Sequence, residues 1–172
     1  DRSVELILRF CCRYLENRDE SIVYDREVHN HTARRIAREA MVLLKNDDKL
    51  LPLGSQKIAF IGKYAQMPRY QGTGSSRINP SHVTGALEAV RSVAEVTYAQ
   101  GFDDAIDVTN PELLAEAVRV AEAADVAVLF VGLPDTFESE GFDRTHMNMP
   151  NCQNELIREV CKVNKKVVVV LH

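Results

Sequence analysis

The 172-residue sequence has no apolar stretch long enough to span a membrane and no dense run of lysine and arginine. The longest apolar runs, VAVLFVGL and VVVVL, have the length of β-strands. The net charge of −4 gives no electrostatic reason to bind nucleic acid. We therefore expect neither a membrane nor a nucleic acid as a partner.

The sequence also lacks a Cys-x-x-Cys pair, the spacing that zinc sites commonly use. A chain of ordinary size with a real core needs no disulfide framework. We expect free thiols, no metal site and no cofactor. The four cysteines concerned are Cys11, Cys12, Cys152 and Cys161.

Strand-like and helix-like segments alternate from Lys57 to the last residue. The predicted strands are KIAFIG, EVTYAQG, VAVLFVG and KKVVVVL. The predicted helices are PSHVTGALEAVRSV, NPELLAEAVRVAEAAD and NCQNELIREVCKVN, the second with Asn110 as its N-cap and Pro111 in its first position. Such alternation predicts an α/β fold, a mostly parallel sheet with helices on both faces.

The last predicted strand, KKVVVVL, shows no polar alternation, so we expect it to be covered on both faces. A covered parallel strand is normally followed by a crossover helix. The sequence is therefore expected to be a truncated α/β domain from a longer protein.

The first part of the chain predicts helices rather than strands. An apolar stripe indicates one helix, and the polar segment ENRDESIVYDRE after it indicates a linker. A second helix is expected from about Thr32, a plausible N-cap. The first stripe comprises Val4, Leu8, Cys11 and Leu15, and the second comprises Ile36, Ala40 and Leu44.

Two connections are much longer than the usual two to six residues of such folds. The first loop runs from Gly62 to Pro80, and the second loop runs from Gly132 to Pro150. Each follows the carboxyl end of a predicted strand, which is the edge where open α/β sheets bind ligands. We therefore expect functional residues in both loops.

The first loop contains YQGTGSSRINP, in which Ser75, Ser76 and Arg77 can donate hydrogen bonds. The glycines permit sharp turns or close approach to a partner. Their spacing differs from Gly-x-Gly-x-x-Gly, and no Gly-Lys-Ser/Thr follows, so nucleotide binding is disfavoured. The remaining interpretations are a loop that shapes a sugar pocket or docks on a neighbouring domain, and a loop without function.

The second loop contains Glu138 and Glu140, which would point the same way in an extended segment. Glycosidase carboxylates normally flank the scissile bond from opposite sides, about 5–5.5 Å apart in retaining enzymes. One of these glutamates as proton donor, partnered by a carboxylate elsewhere, fits that chemistry better than the two as a pair. A merely solvated acidic loop is the alternative, and Asp143 and Arg144 are expected to pin the loop by local ion pairing.

Five motifs in order resemble the second domain of glycoside hydrolase family three, the β-glucosidases and their relatives. They are ARRIAREAMVLLKNDDKLLPL, IAFIGKYA, YQGTGSSRINP, AVRVAEAADVAVLFVGL and ESEGFDRTHMNMPNCQNELIREV. The resemblance covers residues 32 to 172. It implies a partial αβα sandwich at 32–172, and at 1–31 the helix and linker that follow a barrel domain.

The resemblance also implies a function. In such enzymes a barrel domain carries an aspartate nucleophile, and a glutamate on a loop of the sandwich is the general acid/base. Alignment on the glycine of EGFDR points to Glu140, and alignment on the first glutamate of ESEG points to Glu138. We expect a retaining β-glycosidase that acts on terminal β-linked sugars, with Gln71 and Arg77 at the cleft mouth. Without the barrel domain, the chain is expected to be inactive.

Two rival interpretations belong to other classes. One is a non-catalytic carbohydrate-binding or scaffolding α/β module, whose acidic loop binds without proton transfer. The other is a nucleotide-binding or receiver-like domain, which the glycine spacing and the lack of an aspartate pair after the first strand disfavour.

Overall fold

A computed structural model describes residues 1–141 and 143–172 of the chain. It divides the chain into two compact units, Asp1–Asp47 and Asp48–His172. Within the described residues, no helix is long and apolar enough to cross a membrane. The four cysteines are free, as the sequence predicts.

The first unit consists of two helices, α1 (Arg2–Glu16) and α2 (Arg26–Ala40). The predicted start of the second helix at Thr32 is wrong. Asp25 caps α2, because its carboxylate accepts hydrogen bonds from the amides of the second and third helical residues. Thr32 lies inside the helix, where its hydroxyl donates to the carbonyl of Val28 at 3.0 Å.

The second unit contains a four-stranded sheet in the order β2-β1-β3-β4, and every neighbouring pair is parallel. The α/β prediction is confirmed. The strands are β1 (Ile58–Ile61), β2 (Val96–Ala99), β3 (Val126–Val131) and β4 (Val167–Leu171).

Helices connect the strands. They are α3 (Lys63–Gln66), α4 (Ala86–Val90), α5 (Pro111–Glu122) and α6 (Asn151–Val163), with one 3₁₀ turn at Gly74–Ser76. The connection from β1 to β2 and the connection from β2 to β3 run in opposite directions across the sheet. Right-handed crossovers therefore place α4 and α5 on opposite faces. The predicted cap of α5 is confirmed, since the side chain of Asn110 accepts from the amides of Glu112 and Leu113.

The core lies around the two central strands, β1 and β3, in which every residue is buried. Phe60 and Phe130 bring their rings to 4.8 Å on these neighbouring strands. Ala117 and Ala121 of α5 and Leu156 and Val160 of α6 are also fully buried. Burial of this apolar surface is the main favourable contribution to the stability of the sheet.

The expectation that the fourth strand is covered on both faces is wrong for this sheet. β4 forms an edge in the strand order, and Val169 and Leu171 are 41% and 55% exposed. An edge strand has a neighbour on one side only, so its apolar side chains receive less cover than those of β1 and β3.

Candidate active site

The two long loops leave neighbouring strands at the same edge of the sheet. The first loop follows β1 and the second follows β3, and these strands pair in parallel with Ile61 opposite Leu129. Gly62 begins the first loop at φ +117°, where a Cβ atom would lie 2.1 Å from the carbonyl oxygen of Phe130. Only glycine fits this close approach. The topology therefore brings together the two loops that the sequence predicts at the carboxyl ends of strands.

Arg69 of the first loop binds the second loop with both ends of its guanidinium. Its Nε donates to Asp135 at 2.9 Å, and one terminal nitrogen donates to the carboxylate of Glu138 at 3.0 Å and to the Glu138 carbonyl at 2.5 Å. The side chain is only 16% exposed. Burial acts to lower the pKa of Arg69, but the hydrogen bonds and charges of Asp135 and Glu138 outweigh it and raise that pKa. Arg69 thus stays charged and fastens the second loop.

Glu140 lies two residues further along and has a different environment. Its Oε2 accepts a hydrogen bond from the Ser75 amide at 2.6 Å and another from the Ser75 hydroxyl at 3.1 Å. Within the described residues, Oε1 has no hydrogen-bond partner and no cation forms an ion pair with Glu140. The residue is exposed. Glu140 is therefore held through one oxygen while the other is open to a partner.

The two predicted catalytic residues thus both face the first loop, but through different contacts. Glu138 is in an ion pair with Arg69, although its side chain is 54% exposed. Glu140 is bound by a serine, which carries no charge. Each carboxylate is held through its Oε2, so the two differ in the charge of the partner and not in the number of oxygens engaged. A fixed cation favours the charged form of a carboxylate, whereas a general acid must carry a proton.

The other two predicted site residues line an open pocket of about 450 Å³ between the loops. The amide of Gln71 is already occupied, because it accepts from the Ile78 amide at 3.0 Å and donates to the Ile78 carbonyl at 3.2 Å. The side chain of Arg77 forms no hydrogen bond or ion pair within the described part of the chain. Of the two, only Arg77 offers free donors to a ligand.

Tyr64, a residue that the sequence analysis missed, also lines this pocket. It is 3% exposed, and its hydroxyl has no hydrogen-bond partner among the described residues. Burial and the nearby carboxylate of Asp104 raise the pKa of Tyr64, so the hydroxyl remains a donor. An unpaired buried hydroxyl costs free energy. Asp104 itself forms an ion pair with Lys63 at the pocket wall.

The predicted pinning of the second loop by Asp143 and Arg144 is not observed. Neither residue forms an ion pair within the described ranges, and Arg144 donates only to the carbonyl of Asn148, at 3.4 Å. The cation that fastens the second loop is instead Arg69, which reaches it from the first loop. The described residues also contain no group of three or more His, Cys, Asp or Glu side chains arranged to hold a metal ion.

Comparison with known proteins gives the family. Residues 41–172 match the sequence profile of the glycosyl hydrolase family 3 C-terminal domain. The thermostable β-glucosidase B of Acetivibrio thermocellus is 46% identical across 99% of this chain and 23% of its own length. An exo-α-(1→6)-L-arabinopyranosidase of Bifidobacterium longum is 43% identical across 86% of this chain and 21% of its own length.

A solved structure agrees with these relatives. The crystal structure of a GH3 β-glucosidase of Bifidobacterium adolescentis superposes with a TM-score of 0.85 at 43% identity, and it covers 89% of this chain and 23% of that one. The chain thus spans less than a quarter of the length of these three similar proteins. On the profile match and these identities, the chain belongs to glycosyl hydrolase family 3.

Proposed function

We propose that this chain supplies the general acid/base, Glu140, to a retaining β-glycosidase. The parent enzyme, as we use the term, is the longer glycosidase of which this chain is a part. Its barrel domain would carry the aspartate nucleophile, and residues 1–31 would be the helix and linker after that barrel. Residues 32–172 would form part of the second domain. The observation that carries the proposal is an exposed carboxylate at the ligand-facing edge of the sheet, held through one oxygen only.

The contacts favour Glu140 over Glu138 for this role. A general acid must present its proton within hydrogen-bond reach of the leaving oxygen. Both glutamates leave Oε1 without a partner among the described residues, but the partner of Glu140 is a neutral serine and that of Glu138 is the guanidinium of Arg69. A fixed cation opposes the protonated form that a general acid needs. We assign Glu138 to the fastening of the second loop, together with Asp135.

Retaining hydrolysis then proceeds in two steps. In the first, the aspartate attacks the anomeric carbon as the glycosidic bond breaks, and Glu140 gives its proton to the departing oxygen. In the second, Glu140 takes a proton from water as the water oxygen attacks the glycosyl-enzyme and releases the aspartate. Glu140 returns to its protonated form, and no cofactor is needed.

The pocket between the loops suits a sugar. Sugar hydroxyls both donate and accept hydrogen bonds, and the pocket offers the free donors of the Arg77 side chain. Gln71 would fix the conformation of the first loop, since its side-chain amide bonds to the backbone of Ile78. We infer that Arg77 contacts the substrate and that Gln71 shapes the pocket wall.

The test compares Glu140→Gln with its matched control, Glu138→Gln, in the parent enzyme. Glu140→Gln should lower kcat/KM by about 10²–10⁴-fold on a glucoside with a poor leaving group, the usual contribution of general acid catalysis. On dinitrophenyl glucoside, whose leaving group needs little protonation, kcat/KM should fall far less. Glu138→Gln should show no such dependence on the leaving group.

Other outcomes would redirect the assignment. An equal loss on both substrates would give Glu140 a structural role, and a leaving-group dependence in Glu138→Gln would move the acid to that residue. The 172-residue chain alone should not hydrolyse either substrate. If the longer protein binds sugars but hydrolyses none, that result would support the rival, non-catalytic module.

A further inference from the structure

We propose that Ser75 is the positioning residue for Glu140, and that it holds Oε2 so that Oε1 faces the bond to be broken. This inference rests on the proposed function, since it concerns the geometry of that proton transfer. It assigns a role to the GTGSS segment of the first loop, which the two-step chemistry leaves without one.

The first support is the way in which the two hydrogen bonds are arranged. The amide and the hydroxyl of Ser75 both donate to the same carboxylate oxygen, at 2.6 Å and 3.1 Å. Two donors from one residue fix the position of Oε2 and the plane of the carboxylate more closely than one donor would. Hydrogen bonds to a charged acceptor are also stronger than bonds between neutral groups.

The arrangement also suits both catalytic steps. When Oε1 carries the proton, Oε2 is the carbonyl oxygen of the acid and still accepts both hydrogen bonds. When the proton leaves Oε1 for the glycosidic oxygen, Oε2 keeps the same two donors. Ser75 can therefore hold Glu140 in one place while the residue works first as acid and then as base.

The second support is Gly74, the residue before Ser75. It has φ +72°, and a Cβ atom there would lie 1.8 Å from Oε2 of Glu140 and 2.6 Å from its Cδ. No other residue leaves room for the carboxylate in this position. Gly74 and Ser75 together thus form a seat for Glu140: the glycine provides the space, and the serine provides the donors.

The experiment measures kcat/KM of the parent enzyme on two glucosides, one with a poor leaving group and one with dinitrophenol. Ser75→Ala removes the hydroxyl and keeps the amide. With the glucoside that has a poor leaving group, its kcat/KM should fall about tenfold, which is the scale of one hydrogen bond to a charged group. On the dinitrophenyl substrate the loss should be about twofold or less, because proton transfer contributes little to that reaction.

Two further variants at this serine separate positioning from folding. Ser75→Thr keeps a hydroxyl and should restore most of the lost rate. The matched control is Ser76→Ala, because the Ser76 hydroxyl donates to the carbonyl of Thr73 at 3.1 Å and not to Glu140. Ser76→Ala should leave both rates near wild type.

Gly74→Ala tests the seat from the other side. The added methyl group would displace the carboxylate, and a misplacement of about 1 Å costs on the order of 10²-fold. The loss should again be confined to the poor leaving group, and the melting temperature should report whether the variant is folded. If Gly74→Ala does not fold, Ser75→Ala and Ser75→Thr still decide the matter.

The outcomes distinguish this inference from the proposed function. Suppose that the loss of kcat/KM in Glu140→Gln depends on the leaving group but that Ser75→Ala keeps both rates, as Ser76→Ala should. Glu140 is then the acid, and Ser75 does not position it. If Ser75→Ala loses equally on both substrates, or if Ser75→Thr fails to restore the rate, the positioning role is overturned as well. If Glu140→Gln itself shows no leaving-group dependence, the proposed function fails first.

Discussion

Glu138 and Glu140 lie two residues apart in one loop, yet the fold treats them differently. Arg69 holds Glu138 in an ion pair, together with Asp135. Ser75 holds Glu140 through hydrogen bonds to a single oxygen. Both partners come from the first loop, so the difference is not one of location. It is a difference between a carboxylate paired with a fixed cation and a carboxylate bound by a neutral serine.

The comparison separates the contact that anchors the second loop from the carboxylate that the loop exposes. The segment around Glu138 ties the second loop to the first, since Arg69 contacts it with a side chain that is only 16% exposed. Glu140 therefore lies on a loop that is anchored two residues earlier. Under the proposed function, the carboxylate that ties the loop would support the proton donor, because a catalytic group needs neighbours whose own positions are fixed.

The largest effect on stability is expected where the fastening cation is removed. Arg69→Met should lower the free energy of unfolding of the 172-residue chain by about 2 kcal/mol, because it breaks charge-assisted hydrogen bonds to two carboxylates. Urea unfolding at pH 7 measures this loss. Arg69→Lys should recover only part of it, since an ammonium cannot form the forked contact.

The control for this prediction is Arg119→Met. Arg119 is exposed on α5, and its side chain forms no ion pair within the described residues. It should change the free energy of unfolding by less than about 0.5 kcal/mol, as surface substitutions usually do. If Arg69→Met and Arg119→Met lower the free energy of unfolding equally, the ion pair between Arg69 and Glu138 does not stabilise the fold. The contrast between Glu138 and Glu140 would then be wrong.

A smaller effect is expected at Asp107, a third carboxylate that serves structure alone. Its two oxygens accept from the Cys152 amide and the Asn151 side chain, both at 2.9 Å, so it caps α6 from outside the helix. Pro150, the residue at the N-cap position, provides no side-chain hydrogen bond. Asp107→Ala should lower the free energy of unfolding by about 1 kcal/mol in urea at pH 7.

The effect at Asp107 should depend on pH. Burial acts to raise the pKa of Asp107, but the hydrogen bonds from Asn151 and Cys152 outweigh it and lower that pKa. A carboxyl with a lowered pKa in the folded state contributes its stability above its unfolded value, and the contribution is lost as the pH falls through the folded value. The difference between wild type and Asp107→Ala should therefore shrink below about pH 4. Glu122→Gln, a control on the exposed surface of α5, should leave the free energy of unfolding near wild type.

Much of the fold could be predicted because its signals are local. Asn110 and Pro111 mark the start of α5, and the unbroken apolar runs mark β1 and β3. The start of α2 was predicted wrongly because Asp25 and Thr32 are both acceptable caps, and the sequence does not show which one the backbone uses. The exposure of β4 depends on its place in the strand order, which no residue within the strand encodes.

The site could be predicted only in part, for a similar reason. Parallel topology and loop length indicated that both long loops lie at the ligand-facing edge of the sheet, but that they meet follows from the pairing of β1 with β3, which the sequence does not show. The partners within them could not be inferred, because Ser75 and Glu140 are 65 residues apart and no periodicity links them. Arg69 was missed in the same way, and Asp143 and Arg144 were chosen instead because they are neighbours in sequence.

The most direct test of the account is chemical rescue of Glu140→Ala in the parent enzyme. With dinitrophenyl glucoside this variant should form the glycosyl-enzyme but hydrolyse it slowly, because no base activates water. Azide needs no base, so it should restore turnover and give β-glucosyl azide, identified by NMR, whereas Glu138→Ala should give none. If azide fails to rescue Glu140→Ala, or if it rescues Glu138→Ala instead, Glu140 is not the residue that transfers the proton.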